Sequence, residues 1–247
     1  MEPLIFVEVA LVDELAGSVQ ALLDEQAPVF DAQRATTAIF YSISNTQVGL
    51  RGVSFGNFLL KRVIEDLQRD FPRLEQFATL SPIPGLRRWV EKHPQEWATV
   101  FDADLRERLA RHLPDGAVPS EDALRALLAD GAWAGNERLA RALQPALTRL
   151  AARYFLHAKA AERGEKGGEP GASVAKPFDP VARFHLGNGA RVERINPLAD
   201  TSPNGFKQSY GLMVNYLYDP DGIEANVEAF ARAGNIAASG TVRRAGR

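Results

Sequence analysis

An α/β (α+β) fold is predicted by three features of this chain. Five short runs are rich in β-branched and aromatic residues, the segments between them carry helical periodicity, and residues 35–80 read as a strand-loop-helix-strand unit. The first run, Leu4 to Leu11, is almost continuously apolar, the pattern of a strand covered on both faces of a sheet. An amphipathic helix is expected around Ser18 to Glu25, with Leu15, Val19, Leu22 and Leu23 on one side. The second strand, Ala35 to Ser44, ends at Asn45, and Phe58 to Leu67 follow with helical period. That helix stops before Phe71-Pro72, and a third strand, Gln76 to Leu80, delivers Ser81 into Pro82-Ile83-Pro84-Gly85.

Composition bounds the function. The chain has 247 residues, 45% of them hydrophobic, enough for one full domain with a sizeable core. Its 29 Lys and Arg face 31 Asp and Glu, so no field of one sign attracts nucleic acid or an anionic membrane, and neither is expected as a partner. Zero cysteines exclude disulfides, thiolate zinc sites, iron-sulfur clusters and thiol nucleophiles. The four histidines show no metal-ligand spacing, so no metal is expected. No run reaches the roughly 18 apolar residues of a membrane span.

Two clusters carry chemistry. Between the second strand and its helix lies Gln47 to Asn57, where Gly49, Gly52 and Gly56 permit close backbone approach. The helix start beyond them offers free N–H groups and the positive end of the dipole, a combination suited to pyrophosphate or to a simple strand-to-helix turn. The spacing matches neither the Walker nor the dinucleotide fingerprint, which disfavours nucleoside-triphosphate hydrolysis. Two prolines then stiffen the loop that presents Ser81, as a mount for a reactive hydroxyl or as a cap for a helix from Leu86 to Glu91. In the second cluster Asp179 and Pro180 start a short helix and Asn188-Gly189 end it, leaving His185 in the last turn. There the dipole favours the charged imidazole, unless the ring simply bonds free carbonyls at the helix end.

The remaining chain frames these clusters. His93 to Ala161 reads as helical throughout, with Ser120 as an N-cap, and His93 and His112 are expected in solvent. Glu162 to Lys176 reads as a mobile surface loop. Arg191 to Ile195 and Tyr210 to Tyr218 are expected strands, followed by a weak helix from Ile223 to Arg232.

Five blocks in one order, Phe40 to Gln47, Gly52-Val53 with Gly56 to Leu59, Leu80 to Gly85, Phe184 to Ala190 and Gly211 to Tyr218, resemble malonyl-CoA decarboxylase, and the similarity runs from about Pro3 to Tyr218. The resemblance implies a GNAT-type acyltransferase fold, with a mixed, mostly antiparallel sheet flanked by helices. It implies that Arg51, Gly52, Val53, Ser54, Phe55, Gly56 and Asn57 bind the CoA phosphates, that Ser81 and His185 are the catalytic pair, and that Tyr218 supports the same pocket. Malonyl-CoA and acetyl-CoA are the implied ligands, with no cofactor. Family members place a helical oligomerisation domain and the first strands of the sheet ahead of the segment matching Pro3. The chain is therefore expected to correspond to part of the enzyme, to expose a sheet edge, and to be poorly soluble or inactive alone. Homo-oligomers are implied for the full-length family. Arg243 to Arg247 carry no Ser-Lys-Leu signal, so the cytosol is the expected address. A CoA-dependent acyltransferase and a non-catalytic CoA-binding module are the alternatives.

Overall fold

Strands β1 (Ile5–Val12), β2 (Thr37–Asn45), β3 (Gln76–Thr79), β4 (Ser81–Pro82), β5 (Arg191–Asn196) and β6 (Met213–Tyr218) join in one mixed sheet. They belong to a computed structural model that describes residues 5–45, 56–112, 118–160 and 175–247. β1 pairs antiparallel with β2, β2 parallel with β3, and β3, β4 and β5 all antiparallel with β6. The mixed, mostly antiparallel sheet flanked by helices is the architecture expected.

Helix α2 (Gly56–Asp70) links β2 to β3 and makes their parallel pairing possible, because such strands need a crossover. The pairing ends with Phe40 opposite Thr79 and a 3.2 Å bond from Leu80 N–H to the Phe40 carbonyl. Beyond it β2 pairs only with β1, and β4 only with β6. β3 and β4 meanwhile run along β6 in one register, from Phe77 opposite Tyr218 to Ser81 opposite Val214. Ser81 thus stands just past the point where two parallel strands part.

Alternation divides the sheet into unequal faces. Ala38, Phe40, Phe77, Val214, Tyr216 and Tyr218 face the larger core, together with α3 (Leu86–Lys92) and the long helix α7 (Glu137–His157). The buried stripe of α7, through Leu139, Leu143, Leu147, Leu150 and Tyr154, recurs at helical spacing. Ile39, Ala78, Leu80 and Met213 face the other way, onto Leu15, Ala16, Val19 and Leu22.

Several expectations change. β1 is not buried on both faces: among the described residues it is an edge strand with β2 as its one neighbour, and Phe6 is 53% exposed. The first helix shrinks to α1 (Val19–Leu22), capped by Ser18. The continuous helical block is broken into α4 (Gln95–Val100), α5 (Ala103–Ala110), α6 (Glu121–Leu127), a 3₁₀ turn at Ala132–Gly135 and α7. Asp102, Ser120 and Asn136 each cap a new start by accepting a backbone N–H. The last strand begins three residues late because Tyr210 and Gly211 adopt φ of 57° and 77°, closing an unexpected helix, α9 (Pro203–Ser209). Helices α8 (Pro180–Gly187), α10 (Ile223–Ala233) and α11 (Gly240–Ala245) complete the chain. All but the end of the expected loop 162–176 lies outside the described residues.

Candidate active site

Three strands and one helix end build a buried polar cluster. Period-2 alternation puts Thr79 and Ser81 on one face of β3–β4, and Tyr216 and Tyr218 on the same face of β6. Helix α8 lies over them. Asp179 caps it through bonds of 2.9 Å from Val181 N–H and Ala182 N–H to one carboxylate oxygen, and Pro180 pre-sets its first turn. Its last turn carries His185, whose carbonyl accepts from Asn188 and Ala190 N–H. Gly189, at φ of 83°, makes the reversal, and any Cβ there would strike the Ile223 carbonyl.

His185 is bracketed by hydroxyls. Its Nε2 lies 3.2 Å from Ser81 Oγ and its Nδ1 2.7 Å from the Tyr218 hydroxyl. Ser81 Oγ lies 2.8 Å from Thr79 Oγ1, which also accepts from Tyr216 N–H at 3.3 Å. The Tyr216 ring stacks on the imidazole, with centroids 4.5 Å apart and planes 25° apart. Ser81 and His185 keep only 6% and 4% of their surface.

Burial pushes the His185 pKa down to about 3, so the imidazole is neutral and owns one N–H and one lone pair. The dipole of a short helix does not outweigh that desolvation, which corrects the expectation of a charged ring. Neither ring nitrogen bonds a helix carbonyl. Burial also raises the Tyr218 and Tyr216 hydroxyls well above the ordinary tyrosine value. A neutral ring between hydroxyls has two self-consistent proton patterns. Either Tyr218 donates to Nδ1 and Nε2–H donates to Ser81, or Ser81 donates to Nε2 and Nδ1–H donates to Tyr218. Both patterns leave the cluster neutral, with the single ring N–H on one nitrogen or the other.

Three of the expected site residues therefore meet: Ser81, His185 and Tyr218. Ser81 caps nothing, since the N-cap of α3 is Gly85. Arg51, Gly52, Val53, Ser54 and Phe55 lie outside the described residues, while Gly56 and Asn57 open α2 directly after them. Thr79 and Tyr216 were not anticipated, although each stands two residues before an anticipated one, Ser81 and Tyr218. His93 is not in open solvent: its Nδ1 lies 2.8 Å from the Trp89 carbonyl. Among the described residues, no group of three or more His, Asp or Glu could hold a metal ion, and no helix is long and apolar enough to cross a membrane.

The reverse face of β6 carries a second polar cluster. The Asn215 amide nitrogen donates to the carbonyls of Thr79 at 2.8 Å and Ala16 at 3.0 Å. Its oxygen accepts from Asn196 Nδ2 at 2.8 Å and Arg194 Nε at 3.2 Å.

Residues 1–246 match the family model of the malonyl-CoA decarboxylase C-terminal domain. The chain belongs to that family. Two curated relatives are both named malonyl-CoA decarboxylase, mitochondrial. The goose (Anser anser anser) protein is 38% identical over 246 residues, covering 96% of this chain and 46% of the relative. The rat (Rattus norvegicus) protein is 39% identical over 247 residues, covering 96% and 47%. The chain spans about half the length of these relatives. Crystal structures of malonyl-CoA decarboxylases share its fold. That from Rhodopseudomonas palustris is 44% identical with a TM-score of 0.78, matching 98% of this chain and 49% of that one. That from Agrobacterium vitis is 45% identical with a TM-score of 0.77, matching 99% and 54%.

Proposed function

We propose that this chain carries the malonyl-CoA decarboxylase active site, with Ser81 and His185 as the catalytic pair. One observation carries the reading: residues 104 positions apart place Ser81 Oγ 3.2 Å from His185 Nε2, at the parting of β2 and β3, inside a domain of this family. Decarboxylation breaks the bond between the malonyl carboxylate and the α-carbon. The electron pair moves onto the thioester oxygen as an enolate, carbon dioxide leaves, and one proton is taken up at carbon to give acetyl-CoA. The Ser81 hydroxyl orients the malonyl group and donates to the developing oxyanion. A single oriented donor of this kind contributes about 3 kcal/mol. His185, neutral and tied to hydroxyls at both nitrogens, takes part in delivering the proton, and Tyr218 fixes its Nδ1. The proposal assigns the CoA phosphates to Arg51 through Asn57 at the N-terminus of α2, where N–H groups and the dipole favour an anion. Fatty-acid and malonate metabolism and a cytosolic address belong to the same proposal, with no nucleic-acid or membrane partner.

The test is incubation with malonyl-CoA and no acyl acceptor. Equimolar acetyl-CoA and carbon dioxide are expected, with kcat about 10³-fold lower in both Ser81→Ala and His185→Ala while CoA still binds. Turnover only with an amine acceptor, or binding without turnover, would overturn the reading, as would near-normal rates in both variants.

A further inference from the structure

Asp179 caps α8 with one carboxylate oxygen only. The other, Oδ2, accepts from Gly85 N–H at 3.3 Å and from the Tyr154 hydroxyl at 2.9 Å. Gly85 closes the Pro82-Ile83-Pro84 loop that follows Ser81, and α8 ends at His185, so this carboxylate is bonded to both segments that carry the pair. It is 2% exposed, and its four partners come from three separate parts of the chain. Tyr154 stands on the buried stripe of α7, wedged among Trp89, Phe155 and Phe178 with ring centroids 5.3 to 6.1 Å away. The bond from Tyr154 is therefore anchored in the core. The site has no room to spare, because a Cβ on Gly85 would collide with the Tyr154 hydroxyl.

A cap alone does not need this arrangement. Serine or asparagine caps a helix as well as aspartate does and buries no carboxylate, and burying one carries a desolvation cost that here raises the Asp179 pKa. The second oxygen is explained by what it joins. We propose that Asp179 is a positioning residue that sets the separation and angle of Ser81 and His185 by tying the Ser81 loop to the His185 helix, with Tyr154 as the fixed post. The proposal rests on the catalytic reading of that pair. A displacement of about 1 Å at such a pair is enough to cost on the order of 10²-fold in rate without any loss of binding.

Asp179→Asn and Asp179→Ser test it, since both keep a side-chain oxygen for Val181 and Ala182 N–H. The first turns a donor toward Gly85 N–H, and the second leaves it without a partner. In each, kcat is expected to fall about 10- to 100-fold with KM for malonyl-CoA within twofold. The imidazole ¹⁵N resonances of His185 should shift, while those of His93, His112 and His157 stay in place. Tyr154→Phe keeps the cap and the Gly85 bond and is expected to shift the His185 resonances in the same direction by less. The resonances report whether or not the chain turns over malonyl-CoA, so they separate failure of the clamp from failure of the catalytic reading. Unmoved His185 resonances, or kcat within twofold of the parent in both cap-preserving variants, would overturn the clamp.

Discussion

The two faces of β6 carry polar clusters of opposite character. On one face Asn215 uses both amide hydrogens and both carbonyl lone pairs on fixed partners. On the other, His185 sits between hydroxyls that can each donate or accept, and the Tyr216 hydroxyl beside it is buried with no partner among the described residues. A cluster whose every donor faces an acceptor has one arrangement and holds the strands in place. A cluster of ambivalent groups admits two hydrogen-bonding arrangements. One strand thus keeps a fully paired cluster and an ambivalent one apart by alternation alone.

The largest way to break this contrast is Asn215→Ala, which strands the carbonyls of Thr79 and Ala16 on a 0% exposed site. A loss of about 3 kcal/mol is expected. Melting should fall by roughly 10 °C while activity per folded molecule changes less than in Ser81→Ala. Acid titration probes the other face. The His185 pKa is depressed in the folded state, so the unfolded chain binds the extra proton between its ordinary value near 6.5 and about 3. Stability is therefore full above the upper limit and declines as pH falls through that window, with a slope approaching 1.4 kcal/mol per pH unit from this group. His185→Gln should flatten that slope in denaturant titrations at stepped pH, and an unchanged slope would show that the ring is charged when folded.

Smaller effects sharpen the comparison. Tyr218→Phe removes the partner of Nδ1, and kcat is expected to fall about 10-fold with stability lowered by about 1 kcal/mol. Tyr216→Phe keeps the stacked ring and deletes an unpaired hydroxyl. Turnover within about threefold and a melting point unchanged or up to about 2 °C higher are expected, because no bond is lost. A marked fall in melting temperature would mean that the hydroxyl has a partner.

Local sequence made the components of the site legible, but not their assembly. Ser81 stood out because two prolines stiffen the loop beyond a strand end, and His185 because Asp179-Pro180 and Asn188-Gly189 bracket a short helix around it. Nothing near either residue pointed to the other; the resemblance paired them, and in three dimensions it is β6 that brings them together. Asp179 was legible as a cap, since capping is a contact with its own next three residues. Its second oxygen was not, because Gly85 and Tyr154 reach it only through tertiary packing. The fold shows the same division. The βαβ unit was readable from composition and glycines, whereas α9 was overlooked although Ser202-Pro203 is a start signal. Tyr210 and Gly211 looked like strand because aromatic composition says nothing about the sign of φ. The edge position of β1 was hidden for a related reason: an apolar run reports on burial partners only when the neighbouring strands are known.

The register that joins β3 and β4 to β6 has a kinetic consequence. Tyr216 reaches back 137 residues to Thr79, so the pairing that completes the cluster closes one of the longest loops in the chain. Closures of that span are entropically costly and slow compared with the local βαβ unit. Recovery of the His185 signal during refolding should therefore lag behind helix formation and mark the final ordering of the sheet. A nascent or partly unfolded chain would hold Ser81 already mounted on its stiff loop and yet be inert.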